Sequence, residues 1–250
     1  MTADATPAQK QTPAAQEEAQ FLEALSARPI PVETLLETLR SLRAAGHAAR
    51  AAEQEQALED MLVETGDRDG LLRLLRSRAA EHAANRTFGT ACRDLLRQTW
   101  KSRDAAAFIE AAGFDALPPG EALRRLDVLL ACKPGVFCTE KTWGFGVVNR
   151  VDPFYKKVII DFAGRPGHSM TFAYAAETLM LVDASHLLAR RHADPAAIAL
   201  LIREKPDEIV RLALRSFGAL SIARLEQVLV ENKVLAADAW KPFWEAVRKA

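Results

Sequence analysis

The sequence predicts a mostly α-helical α+β protein in which one small β unit is set between two helical regions. Three observations predict it. Apolar residues recur at spacings of three and four through residues 17–131 and again through 184–250. Only residues 132–183 break that period, with short β-branched runs punctuated by Gly, Pro and Asp. The chain has 250 residues, 49% of them hydrophobic, which is enough for one or two domains with real cores.

In chain order, residues 1–16 are rich in Ala, Thr, Pro and Gln, too poor in apolar surface to offset ordering entropy, and are expected to be disordered. Phe21, Leu22 and Leu25 form a first short apolar face, ended by Pro29 and Pro31. Val32, Leu35, Leu36, Leu39 and Leu42 line an amphipathic helix with Gly46 as its stop. A further helix covers 51–63 and stops near Gly66, and Asp69 is read as the cap of the next, with Leu71, Leu72, Leu74 and Leu75 inward. Residues 88–100 form another. Ser102 caps the one that closes at Gly113, and Pro118–Pro119–Gly120 starts the last. Six or seven short helices on short turns describe a helical array, solenoid-like or an irregular bundle. The positions expected of tetratricopeptide repeats are absent.

The β unit has Val147, Val148 and Val151 leading into a Pro153–Phe154 turn, then the run 157–162 closed by Ala163–Gly164, and Thr171–Phe172 after a Gly167–His168 turn. This spacing suits a small barrel or curled sheet of about four or five strands. Helices then resume over 184–250. Asp194–Pro195 is a cap with a first-turn proline, Pro206 opens the next helix, Ser221 caps another, and Asp238 is expected to cap a last one bearing Trp240, Phe243, Trp244 and Val247.

Composition narrows function. Lysine plus arginine equal aspartate plus glutamate at 33 each, so no whole-chain charge points to nucleic acid. Cys92, Cys132 and Cys138 are odd in number and contain no CxxC, which disfavours a zinc knuckle and fits a reducing, cytoplasmic compartment. There is no signal-peptide pattern and no apolar run near the about 20 residues that span a bilayer. No cofactor, metal or small-molecule substrate is expected, and the chain reads as non-enzymatic. Glu53, Glu55, Glu59, Asp60 and Glu64 are taken as the wet side of a helix, and Arg73, Arg76, Arg78, Arg86, Arg93 and Arg97 as a solvated basic face or, in the alternative, a surface for nucleic acid or an acidic partner. His186 and His192 are read as solvated helix histidines, and His168 as a turn residue. Cys138, beside Glu140 and Lys141, carries no sign of a lowered thiol pKa.

The run Trp143–Gly144–Phe145–Gly146 lacks the full GxGxxG and a following helix, so its glycines serve a tight turn or a close strand approach. Its aromatics either pack in the sheet or stay exposed for a partner. Two binding readings follow. As a protein-docking surface, Trp143, Phe145, Phe154 and Tyr155 would anchor the contact, or an edge strand would pair with the partner. As a nucleic-acid module, Lys141, Arg150, Lys156 and Lys157, with Arg165, would hold phosphates, though Glu140, Asp152, Asp161, Glu177 and Asp183 balance them.

The segment PGVFCTEKTWGFGVVNRVD, followed by KVIIDFAGRPGHSMTF and a closing AAETLMLVD, resembles the small SH3-like or Tudor-like barrel of bacterial RNA-polymerase-associated factors, the type of the CarD and transcription-repair coupling factor families. With Trp240, Phe243, Trp244, Val247, Arg248 and Lys249 in a Trp-rich helix behind it, the chain is more similar still to the N-terminal part of long Gre-like elongation factors of the GreA/GreB family. The resemblance covers about 134–249. It implies a helical N-terminal region, an SH3-like barrel and a C-terminal helical region that together serve transcription elongation, with RNA polymerase as the protein partner. The acidic coiled-coil tip and polymerase-docking C-terminal domain of Gre factors have no counterpart here, so the resemblance implies an N-terminal portion of a longer protein or a relative lacking the cleavage parts. No Gre catalytic residue carries over to any position.

Overall fold

The computed structural model describes residues 13–83 and 85–249, with side chains from residue 18 onward. Of the lead-in expected to be disordered, residues 1–12 lie outside the described residues, while Pro13–Gln16 form the first turn of helix α1 (Pro13–Ser26). The chain divides into two compact units, 1–124 and 125–250.

The first unit is helical. It holds α1, then α2 (Val32–Ala44), α3 (Ala48–Thr65), α4 (Arg68–Ala79), α5 (Arg86–Thr99), α6 (Arg103–Ala112) and the start of α7 (Pro119–Ala131). Packing is between near neighbours in sequence, with α2 against α3 and α4, and α5 against α4 and α6. The leucine stripes do what their spacing demands: Leu35, Leu36, Leu39, Leu58, Leu62, Leu71, Leu74 and Leu75 are all buried. Gly66 and Gly113 end α3 and α6 in the left-handed conformation, at φ 67° and 82°, which only glycine adopts without strain. Ser102 Oγ accepts from the Ala105 N–H at 3.2 Å, as expected of a cap. Asp69, however, is not the cap of α4. Asp67 takes that place, accepting from Gly70 N–H at 2.9 Å, and Asp69 lies within the first turn.

The carboxylates of α3 are not simply its wet side. Glu55 and Glu59 turn inward, with side chains 12% and 11% exposed. Arg43 from α2 meets Glu55 at 2.8 Å, and Arg78 from α4 binds Glu59 and lies 3.7 Å from Glu55. Arg78 also stands over the Phe88 ring at 5.2 Å. Hydrogen bonding to Glu55 raises the Arg43 pKa further. Two of the residues read as solvated charges, Arg78 and Arg93, are thus tied down, the latter by Asp94 and Asp115.

The second unit contains the sheet and the C-terminal helices. Strands β1 (Phe137–Glu140), β2 (Gly144–Asp152), β3 (Lys157–Phe162), β4 (Arg165–Thr171) and β5 (Met180–Val182) form one antiparallel sheet in the order β4-β3-β2-β1-β5. Bulges interrupt the β2–β3 register between Val148 and Arg150 and the β3–β4 register between Ile160 and Phe162. Five strands match the expected number, and among the described residues β4 and β5 do not pair, so the unit is one open five-stranded sheet. One correction concerns Phe172, expected in a strand. Thr171 Oγ accepts from Tyr174 N–H, and the Ala-rich residues after it start helix α8 (Phe172–Thr178) between β4 and β5. Phe172, Ala175 and Ala176 are buried by it.

Beyond the sheet lie α9 (Leu187–Ala193), α10 (Pro195–Glu204), α11 (Pro206–Phe217), α12 (Ile222–Glu231) and α13 (Trp240–Val247). Asp194 and Ser221 cap α10 and α12 as expected. Asp238 does not cap α13: it falls in a 3₁₀ turn, Ala237–Ala239, and no side chain caps the helix. The core of this part gathers Leu187, Ile198, Ile209, Leu212, Leu225, Leu229, Trp240 and Phe243. Trp240 also stacks on Trp244 at 5.5 Å.

All three cysteines are buried. Burial pushes the thiols up to about 12 for Cys92, about 11 for Cys132 and about 12 for Cys138. No described helix is long and apolar enough to cross a membrane.

Candidate functional site

The four residues nominated as protein anchors fall into three environments. At the β1–β2 turn, the Glu140 carboxylate is buried and accepts from the Thr142 and Trp143 N–H groups at 2.6 and 2.9 Å, which fixes the turn. Trp143 is half-buried there, with His168 against its ring at 4.8 Å and the Arg165 guanidinium over it at 4.6 Å. His168 is therefore a strand residue packed on Trp143 and Phe162, not a turn residue. Phe145 is also half-buried, and it faces inward. Its ring lies 5.7 Å from Phe137 and 5.8 Å from His192, and it packs on the core of the C-terminal helices. Phe145 thus takes the packing role that the sequence left open.

Phe154 and Tyr155 differ. They occupy the four-residue turn between β2 and β3, 66% and 67% exposed, with rings edge-to-face at 4.8 Å. The turn is held from both sides. Tyr155 N–H donates to Asp152 Oδ1 at 3.1 Å, and the Lys156 carbonyl accepts from Phe172 N–H at 2.9 Å. Lys156 sits at φ 52°, a left-handed position that closes the turn. Two large exposed aromatics on an ordered turn give contact area with little left to freeze on binding.

The nominated cations split in the same way. Arg150, Lys156 and Lys157 are exposed at the β2–β3 hairpin, with Arg150 3.6 Å from Asp152. Lys141 is exposed at the other end of β2, roughly 25 Å away at about 3.3 Å per strand residue. The structure thus joins Phe154, Tyr155, Arg150, Lys156 and Lys157 in one patch and leaves Trp143 and Lys141 outside it.

His186 departs from expectation. It is buried, 8% exposed, and its Nδ1 accepts from Leu188 N–H at 3.2 Å, so it caps α9. An edge-on contact with Phe217 at 4.9 Å completes its surroundings. Burial, partly opposed by the charge of Asp183, lowers its pKa below the usual 6.5. The folded state therefore binds the proton less readily than the unfolded one. The stabilisation is intact above about pH 6.5, falls as pH drops below that value, and is lost once the folded ring protonates. The midpoint of thermal unfolding is expected to fall from pH 7 to pH 5, and to fall less in His186→Gln, as read by circular dichroism.

Among the described residues, no group of three or more His, Cys, Asp or Glu is arranged to hold a metal. With its thiol buried and its pKa raised, Cys138 has nothing of an activated nucleophile.

Comparison with known proteins extends this picture. The family model described as the GRAD helix-turn-helix domain matches residues 188–250, which hold nearly all of α9 and the whole of α10–α13. The chain is 30% identical over 128 residues to a transcription elongation factor GreA of Chlamydia pneumoniae, covering 50% of this chain and 18% of that protein. It is 26% identical over 220 residues to the GreA of Chlamydia trachomatis serovar D, covering 86% of this chain and 30% of that one. The chain thus spans less than a third of the length of either relative. No solved structure matches. The helix-turn-helix likeness was missed in the sequence, though a cue was present: α11 and α12 are separated by Gly218–Ala219–Leu220–Ser221, a four-residue turn containing glycine.

Proposed function

We propose that this chain is a non-enzymatic, cytoplasmic scaffold for transcription, serving as one portion of a Gre-like elongation factor and docking on RNA polymerase through the tip of its sheet. The observation that carries the reading is the Phe154–Tyr155 pair, exposed on a turn pinned by Asp152 and by the backbone of Phe172. Aromatic anchors of this kind supply most of the energy in protein interfaces when they enter a partner's pocket. The similarity to two GreA proteins supports the transcription context.

The test is capture of core RNA polymerase by the immobilised chain. Wild type is expected to retain it, and Phe154→Ser with Tyr155→Ser is expected to weaken retention at least tenfold while leaving the melting curve unchanged. Equal retention by both would overturn the reading.

A second reading is nucleic-acid binding, favoured by the helix-turn-helix match and by Arg150, Lys156 and Lys157 beside the aromatics. Against it, α12, the helix after the Gly218 turn, carries Arg224 opposed by Glu226 and Glu231. Duplex DNA binding that falls steeply with salt would favour this reading over polymerase docking.

A further inference from the structure

A second surface lies at the β5 edge of the sheet. Strand β5 pairs with β1 alone among the described residues, so its other side is a free edge. Natural proteins shield such edges with charge or with covering elements. Here Met180 on the edge is 71% exposed. Beside the strand runs a groove of about 360 Å³, lined by Met180–Val182 on one side and by Leu212, Arg215 and Ser216 of α11 on the other, with Arg190 of α9 at its margin. That volume is at the small end of ligand pockets, about 300–1,000 Å³, and suits a short segment of chain.

Two guanidiniums against one carboxylate leave the groove net positive. Arg190 and Arg215 are exposed, and neither is paired with a carboxylate among the described residues. Asp183, the one acid in the lining, is already engaged: its Oδ1 accepts from the Ser185 N–H at 2.7 Å and from the Ser185 hydroxyl. An open backbone edge, an apolar floor at Leu181 and Leu212, and two unpaired guanidiniums at the margin are complementary to one kind of occupant.

We infer that the β5 groove binds an extended acidic segment of a partner protein, which adds as a strand to β5, places an apolar side chain against Leu181 and Leu212, and sets its carboxylates on Arg190 and Arg215. Backbone pairing gives affinity in such strand addition, and alternate side chains give specificity. Guanidinium forks are suited to carboxylates because they can bind both oxygens at once. The inference is independent of the polymerase-docking reading, since it uses neither Phe154 nor Tyr155.

The experiment is panning of a random twelve-residue peptide library, displayed on phage, against the whole chain. Recovered peptides are expected to alternate apolar residues with Asp or Glu. Synthetic copies should bind wild type, lose at least tenfold in Arg190→Glu with Arg215→Glu, and slow hydrogen exchange at the amides of residues 180–182. Met180→Asp, at a site exposed enough to leave the fold intact, should weaken binding as well. Failure to recover any peptide, recovery of basic peptides, undiminished binding by the variants, or exchange protection confined to other strands would each overturn the inference. Phe154→Ser with Tyr155→Ser should bind these peptides as wild type does, so the two surfaces fail or succeed separately.

Discussion

Replacing Gly146 with valine is expected to destabilise the second unit by about 3 kcal/mol, the upper part of the range for overpacking a filled core. A Cβ at this position would lie 2.6 Å from Phe162 Cδ1 and 2.8 Å from Ile160 Cγ2. Neither neighbour has room to retreat, because Ile160 is 0% and Phe162 2% exposed. Gly146 also sits opposite Cys138 in the β1–β2 register and opposite Phe162 in the β2–β3 register, so a shift there moves both ladders. Denaturant unfolding followed by far-ultraviolet circular dichroism reads the loss. An unchanged midpoint would mean the strand interior is looser than described. Gly144→Ala makes an instructive contrast. Nothing stands within 4 Å of its would-be Cβ, but its φ is +73°, so its cost is backbone strain in the turn, on the order of 1 kcal/mol.

Removing Arg78 is expected to have a comparable effect on the first unit. In Arg78→Met the stem packing is kept and the charge lost, leaving Glu59 without its guanidinium partner and Glu55 with Arg43 alone. Breaking a buried pair by deleting one side costs about 3–5 kcal/mol. Arg78 is 23% exposed, and solvent screening reduces the expected loss to about 2 kcal/mol. The decisive measurement is the triple variant Arg78→Met with Glu55→Gln and Glu59→Gln. If the cost is that of stranded carboxylates, neutralising them restores most of the stability. If the triple variant is as unstable as the single one, the loss comes from packing on Phe88 instead.

These two cases mark where the sequence is and is not legible. Leucine spacing, the glycines that end α3 and α6, and the caps Ser102, Asp194 and Ser221 are local features, each decided within one turn of chain, and they are read correctly. The partnership of Glu55 and Glu59 with Arg78 joins residues on different helices. On α3 alone those carboxylates look solvent-facing, and only the placement of α4 turns them inward. His186 is the same kind of case, since its burial depends on Phe217 packing from α11. Asp67 displaced Asp69 as a cap because both are good capping residues two positions apart, and propensity alone does not choose between them. Helix α8 begins where a strand continuation at Thr171 and Phe172 is expected, although Thr171 followed by Ala173, Ala175 and Ala176 is a helix start. For the candidate site, residue types were readable and surroundings were not. Phe145 and Phe154 look alike in the sequence, yet one packs on a core and the other stands in solvent.

Because every cysteine is enclosed, each half of the chain carries a native reporter of its own opening. Cys92 belongs to the first unit, and Cys132 and Cys138 to the second. Alkylation by iodoacetamide must wait for the surrounding structure to come apart. Peptide mass spectrometry of timed samples then separates the breathing of the two halves, without any label having been engineered into the protein.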